Sequence, residues 1–157
     1  MSIDADDIVQ QLRLQPHPEG GHFRRIYEST ARVQALGRER PALTAIQYLL
    51  EAGQVSQWHR IDAEECWHWQ RGGAIELRTC DPATARFHAV VLGSNAQAMH
   101  VVPTGVWQSA RPLGGWSLVA CTVSPGFVWE GFELLQPGSE WAARLAAFPA
   151  GGATANP

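Results

Sequence analysis

The sequence predicts a single all-β domain, a barrel or sandwich with a short helix at each end. From Phe23 onward the chain breaks into short runs of β-favouring residues punctuated by Gly and Pro, and none is long enough for a helical core. No helical segments interleave with these runs, which argues against a parallel α/β sheet. At 157 residues and 45% hydrophobic content the chain has material for one core, and a two-domain reading is unnecessary.

The elements follow in order. Asp4 to Leu14 places Ile8, Val9 and Leu12 at helical spacing behind acidic first-turn residues, and the helix must end before Pro16. It is expected on the outside of the barrel. Strands are expected near 22–29, 43–51, 56–60, 65–71, 74–80, 86–92, 99–102, 107–110, 116–123 and 131–135. The polar, arginine-rich stretch from Thr30 to Arg40 reads as a long exposed loop. Ser139 is placed to cap a last helix running to Phe148. The domain is read as residues 1–149, with 150–157 a loose small-residue tail.

Composition excludes several functions. A net charge of −3 with scattered arginines offers no stripe for a phosphate backbone, so nucleic acid is not an expected partner. No apolar run reaches the roughly 20 residues that cross a bilayer, and the N-terminus is acidic where a signal peptide would be basic, so a cytoplasmic protein without membrane contact is expected. Cys66, Cys80 and Cys121 are odd in number and widely spaced, which suits reduced thiols. All twelve basic residues are arginine, so there is no lysine for a Schiff base, pyridoxal phosphate or a Walker-type phosphate loop.

Chemical signals gather between Gly53 and Gly72. Strand alternation puts Gln57, His59 and Ile61 on one face, and Glu65, Trp67 and Trp69 share it if the next strand is antiparallel. A His and a Glu would then enter one pocket walled by tryptophan. The same pattern also suits a hydrogen-bonded core histidine and a strand-edge carboxylate. Trp58, Trp67, Trp69, Trp107 and Trp116 lie in or beside these strands, either as aromatic walls for a ring-shaped ligand or as plain core packing.

Gly53, His59, Glu65 and Gly72 match the first cupin motif, G-x5-H-x-H-x3-E-x6-G, with Ile61 at its second histidine. Pro103 and Gly105 match the second motif, G-x5-P-x-G-x2-H-x3-N, which here carries Gln97 for its leading glycine, Gln108 for its histidine and Pro112 for its asparagine. The chain resembles the cupin-5 group through four stretches that span roughly Leu12 to Leu135. These are His17-Pro18-Glu19-Gly20-Gly21, the run from Trp58 to His68, the run from Val102 to Ala110, and Val123-Ser124-Pro125-Gly126-Phe127. Where members of that group carry acidic residues after the Pro-Gly-Phe turn and before the next Phe, this chain has Val128 and Gly131. The resemblance implies a double-stranded β-helix jelly-roll barrel, commonly a homodimer; the strand beginning near His22 is placed to pair with a partner's sheet.

The resemblance names no reaction, because this scaffold hosts many. The leading expectation is a small polar, carbohydrate-like ligand handled by isomerase or epimerase chemistry, with His59 and Glu65 catalytic and Gln57, Trp67, Trp69, Gln108 and Tyr48 binding. Arg24 or Arg71 would steady a developing enolate, and Tyr27 or Tyr48 would return a proton. No cofactor is expected; were a divalent metal bound, His59, Glu65 and Gln108 would hold it. A mononuclear metal enzyme and a non-catalytic binding or sensing protein stay open as alternatives.

Overall fold

In the computed structural model, which describes residues 4–148, the chain opens with helix α1 (Ala5–Leu12) and then runs through thirteen strands. They are β1 (Gln15–Pro16), β2 (His22–Glu28), β3 (Arg32–Ala35), β4 (Arg38–Pro41), β5 (Thr44–Leu50), β6 (Ser56–Ile61) and β7 (Glu64–Gly72), followed by β8 (Ile75–Asp81), β9 (Arg86–Leu92), β10 (Met99–Val102), β11 (Trp107–Pro112), β12 (Ser117–Ser124) and β13 (Phe132–Leu134). A 3-10 turn (Trp129–Gly131) precedes β13, and helix α2 (Glu140–Ala146) closes the described chain. The expected tail at 150–157 lies outside the described residues.

Two antiparallel sheets face each other, ordered β1-β2-β5-β12-β7-β10 and β13-β6-β11-β8-β9. From β5 to β13 the chain changes sheet at almost every connection, which is the jelly-roll winding. Each strand therefore turns one face inward, and the core side chains Leu50, Trp67, Ile75, Leu77, Leu92, Val102, Ala110 and Val119 meet between the sheets. Each of the fully buried Leu and Ile residues contributes about 1.5–3 kcal/mol by leaving water. Cys80 and Cys121 are buried free thiols and Cys66 a half-buried one.

Helix α1 starts at Asp4, whose carboxylate accepts from the Asp7 amide at 2.8 Å. It buries Ile8 against Leu14, Leu49 and Leu118 on the outside of the six-stranded sheet. Ser139 caps α2 through the Ala142 amide at 3.2 Å, and Leu145 packs on Cys80 and Trp107 outside the other sheet. Among the described residues no helix is long and apolar enough to cross a membrane.

The stretch expected as an exposed loop is instead the β3–β4 hairpin, turning at Leu36 and Gly37 with positive φ at both. Its polar sequence hides a tertiary anchor. The Arg40 guanidinium is 1% exposed, donates to the Gly126 carbonyl at 2.8 Å and forks onto both Asp62 oxygens at 3.0 and 3.2 Å. This ties the hairpin to the loop after β12 and to the end of β6. Asp62 fills the space beside Gly131, where any Cβ would overlap its carboxylate. Replacing Arg40 by methionine strands Asp62 and the Gly126 carbonyl, and is expected to lower stability by about 2–3 kcal/mol in urea unfolding.

Candidate functional site

The interior is packed on the side of β8, β9 and β10 and hollow on the other. A cavity of about 360 Å³ lies between β2, β5 and β12 on one sheet and β6 and β13 on the other. Its deep end carries Glu19, Tyr48, His59, Glu65 and Cys121; Phe23, Ile61, Phe127, Trp129 and Phe132 form its walls; Arg25, Glu28 and Arg32 lie toward the exposed strand β2 and the hairpin.

A bulge sets the deep end. Across the β6–β11 pair, Gln108 faces His59 and Ala110 faces Ser56, so three steps on β6 oppose two on β11. The extra residue shifts the alternation. Ser56, His59 and Ile61 turn inward, whereas the Gln57 side chain is exposed. Only the Gln57 backbone serves the site: its carbonyl lies 2.7 Å from His59 Nδ1 and its amide donates to the Glu19 carbonyl at 2.7 Å.

The second contributor is the segment His17-Pro18-Glu19-Gly20-Gly21 between β1 and β2. Gly20 (φ +104°) leaves no room for a Cβ against the Val55 carbonyl, and a Cβ on Gly21 (φ +72°) would sit 2.6 Å from the Leu49 carbonyl oxygen. Tyr48 Oη donates to the Gly20 carbonyl at 2.5 Å. Pinned this way, the loop drives the Glu19 carboxyl inward, where it is 6% exposed.

Donor rules fix the protons. A carbonyl only accepts, so His59 Nδ1 carries hydrogen toward Gln57, and in the neutral ring Nε2 is a bare acceptor. Glu19 Oε2 lies 3.1 Å from that Nε2, and Ser56 Oγ donates to Oε1 at 2.8 Å. One proton is therefore shared between Glu19 and His59. Burial pushes the Glu19 carboxyl up to about 8 and holds His59 below its ordinary 6.5 against the opposing pull of Glu65, so the proton rests on Glu19. His17 Nδ1 accepts from the Glu19 amide at 3.1 Å, and burial, with His59 adding to it, lowers this imidazole to about 4.

Glu65 is governed from behind. The Trp67 indole can only donate, and it donates to Gln108 Oε1 at 2.7 Å; the Gln108 amide nitrogen then donates to Glu65 Oε2 at 2.6 Å. Burial raises Glu65 to about 7, with His59 pulling it down and Glu19 pushing it up.

Of the residues singled out in the sequence, the structure brings Tyr48, His59 and Glu65 around the cavity. Gln108 stands one layer behind Glu65, and Trp67 is core. Trp69 packs against the core with its indole on the Gly73 carbonyl at 3.0 Å, away from the cavity wall. Arg24 donates to the Leu12 carbonyl at 3.2 Å, Arg71 is exposed, and Tyr27 is 52% exposed on the outer face. His17 and Glu19 enter the site without having been singled out as chemistry. Their signal was an imidazole and a carboxylate flanking Pro18 ahead of the turn-forming Gly20-Gly21.

The four cupin metal positions correspond to His59, Ile61, Glu65 and Gln108. Ile61 offers no donor, the Gln108 amide is used at both ends, and His59 Nε2 faces Glu19. Among the described residues no group of three or more His, Cys, Asp or Glu is arranged to hold a metal ion. This donor set does not fit the resident metal of the scaffold.

Jelly-roll winding around an interior site defines a cupin. The chain belongs to the Cupin_5 family, Cupin superfamily (DUF985), whose pattern matches residues 6–135. A Shewanella oneidensis protein of solved structure is similar at 31% identity and a TM-score of 0.81, covering 92% of this chain and 90% of its own. A hypothetical protein from Leishmania major is similar at 28% identity and 0.80, covering 85% and 88%. An oxalate decarboxylase variant from Bacillus subtilis shares the fold alone, at 17% identity and 0.60, over 83% of this chain and 34% of that one. No curated protein matches the sequence.

The shifted carboxyls and imidazoles make stability depend on pH in a defined direction. A buried acid with a raised pKa keeps its proton while its unfolded counterpart, at 4.5, has lost it, so Glu19 contributes stability that declines as pH rises from 4.5 toward about 8, and Glu65 likewise toward about 7. His17 acts oppositely between 6.5 and about 4, and His59, lowered by burial, acts the same way below 6.5, because there the unfolded chain binds protons that the folded one refuses. The opposing slopes offset one another between pH 4.5 and 6.5. Above 6.5 only the carboxyls act, and the melting temperature is expected to fall from pH 6.5 to 8. Glu19→Gln, which cannot titrate, should flatten that decline in a scanning fluorimetry series.

Proposed function

We propose that this cupin is a metal-independent acid–base enzyme of the isomerase or epimerase type, acting on a small polar, carbohydrate-like carbonyl metabolite. The observation that carries the reading is the 3.1 Å contact between Glu19 Oε2 and His59 Nε2, between which the donor rules leave room for one proton. In the reacting complex Glu19 gives its proton to the substrate carbonyl oxygen while His59 Nε2 takes the proton from the adjacent carbon. The C–H electrons become the C=C bond of a neutral enediol, and the site becomes a carboxylate beside an imidazolium. Net charge is conserved inside a buried cavity, where an unpaired charge would be costly. The proton's return to a different carbon, or to the other face, completes isomerisation or epimerisation. Gln57 keeps the imidazole in the reactive tautomer throughout, and Glu65 steadies the imidazolium.

The cavity is at the small end of the roughly 300–1,000 Å³ typical of ligand sites, which favours one sugar-sized molecule over a polymer segment. The Phe23 and Phe132 rings among its walls suit the C–H face of such a molecule.

The test is proton NMR in D2O, with the purified protein and a panel of aldoses, ketoses and uronates. We expect enzyme-dependent deuterium uptake beside the carbonyl of at least one compound. His59→Ala and Glu19→Gln should each slow it by about 10²–10⁴-fold, whereas Gln57→Ala should leave it unchanged because only the backbone of that residue is used. A compound that raises the melting temperature without exchanging its proton would assign the site to binding and overturn the catalytic reading, as would exchange that requires an added divalent metal.

A further inference from the structure

We propose that Arg25 forms an anion subsite at the entrance of the cavity, and that the metabolite handled at Glu19 and His59 carries a carboxylate or phosphate at the end remote from its carbonyl. The carbonyl end of this assignment rests on the acid–base reading above. The anionic end stands on its own observations.

Strand β2 delivers Arg25 to the entrance. Phe23 pairs with Tyr48 and Arg25 with Ile46, and alternation along both strands turns all four side chains toward the cavity. Ile26 is then an extra residue, because Tyr27 faces Ala45, and beyond this bulge Glu28 lines the cavity opposite Thr44. The inner face therefore rises in three rows, Phe23 with Tyr48, Arg25 with Ile46, and Glu28 with Thr44. The first row lies at the level of the reacting groups. The His17 ring is 4.5 Å from that of Phe23 and 5.7 Å from that of Tyr48, and its Nδ1 is 3.6 Å from Glu19 Oε2. Two residues of strand, about 7 Å, separate that row from Arg25. A chain of hexose length spans the interval.

The Arg25 guanidinium is held in place but not saturated. It lies over the Phe127 ring, 5.9 Å from the centroid, and of its five N–H groups one reaches a protein acceptor, Glu28 Oε1 at 3.4 Å. That bond is long, and the Glu28 side chain is the more exposed partner, at 52% against 37%. An exposed pair of this kind holds weakly, whereas a carboxylate or phosphate takes two N–H groups of the fork in parallel. A ligand anion therefore displaces Glu28 into water at small cost.

Row order decides the sign of the ligand. A group reaching up from the deep end meets Arg25 before it meets Glu28, so a cation there is repelled and a neutral hydroxyl leaves most of the fork unused. Arg32, the other guanidinium on the lining, is engaged by Glu39 at 3.2 Å, and Glu130 stands exposed on the rim. Arg25 and Arg32 against Glu28 and Glu130 give the mouth no net sign, so selection is by contact and not by long-range field. The deep end does not oppose an anion, because burial keeps the proton on Glu19 at neutral pH and raises Glu65 to about 7.

Isothermal titration calorimetry with matched probes tests the assignment: D-glucose, D-galactose and D-mannose, each beside its hexuronate and its phosphate ester at the terminal carbon. In at least one series an anionic member is expected to bind about 10–100-fold more tightly than the neutral hexose, the worth of hydrogen bonds to a charged group, and the tighter of uronate and phosphate names the anion. Arg25→Gln should erase that advantage and leave the neutral hexose unchanged, while Glu28→Gln, which removes the competing carboxylate, should strengthen anion binding. Arg86→Gln, at an exposed arginine on β9 away from the cavity, makes the same change in net charge and should alter neither. Equal affinity for charged and neutral members, no binding of any anion at millimolar concentration, or anion binding that survives Arg25→Gln overturns the subsite. Deuterium exchange in D2O on the same probes separates this result from the acid–base reading. Anion binding that depends on Arg25 without proton exchange keeps the subsite and removes the catalysis; equal exchange of neutral and charged sugars keeps the catalysis and removes the subsite.

Discussion

The site rests on one contact, Glu19 Oε2 against His59 Nε2, because two buried polar groups at 3.1 Å that share a single proton dictate the protonation of their surroundings. Gln57 must accept from Nδ1, Ser56 must donate to the other Glu19 oxygen, and the His17 Nδ1 lone pair faces an amide. Every neighbour is consistent with a neutral pair. Were the proton to cross to His59, the products would be a carboxylate and an imidazolium, each the other's nearest compensation in so buried a site.

Two local departures from regular β structure make that contact, the bulge in β6 and the positive-φ glycines 20 and 21, and the buried Arg40 frames the cavity beside it. The bulge exchanges Gln57 for Ser56 on the inner face. The glycines let the β1–β2 loop press backbone to backbone on β5 and the run into β6, which no Cβ would permit. Arg40 then holds the hairpin and the β12–β13 loop on which Phe127 and Trp129 stand beside the cavity. Regular strands supply the walls, and the irregular points aim the side chains.

The uneven filling of the interior is equally physical. Large side chains such as Trp67, Leu77 and Leu92 meet between the sheets on the side of β8, β9 and β10 and close it. On the other side the inward positions belong to Thr44, Ile46, His59 and Ile61, too small or too short to meet across the gap. Of the tryptophans, only Trp67 and Trp69 pack in that half; Trp58 and Trp107 pack under α2 with its own Trp141, Trp116 packs beside α1, and Trp129 lines the cavity. Trp67, read from its strand position as a possible pocket wall, instead holds Gln108 and through it Glu65.

By itself the sequence determined what depends on local pattern: the all-β class, each of the long strands, both capped helices, and the family, through motifs whose spacing survives even where Ile61 and Gln108 replace the usual histidines. His59 and Glu65 were legible because their motif positions lie close together in the chain. The tertiary structure decided everything that depends on a one-residue shift or a distant partner. A bulge inverts strand parity without any marker in composition, so Gln57 could not be told from Ser56. Glu19 lies 40 residues from His59 and meets it only when the β1–β2 loop folds back. Arg40 in a charge-rich stretch reads as solvated until Asp62 and the Gly126 carbonyl are brought to it. Proton placement, too, belongs to the folded state alone, because it follows from burial and from which atoms face one another.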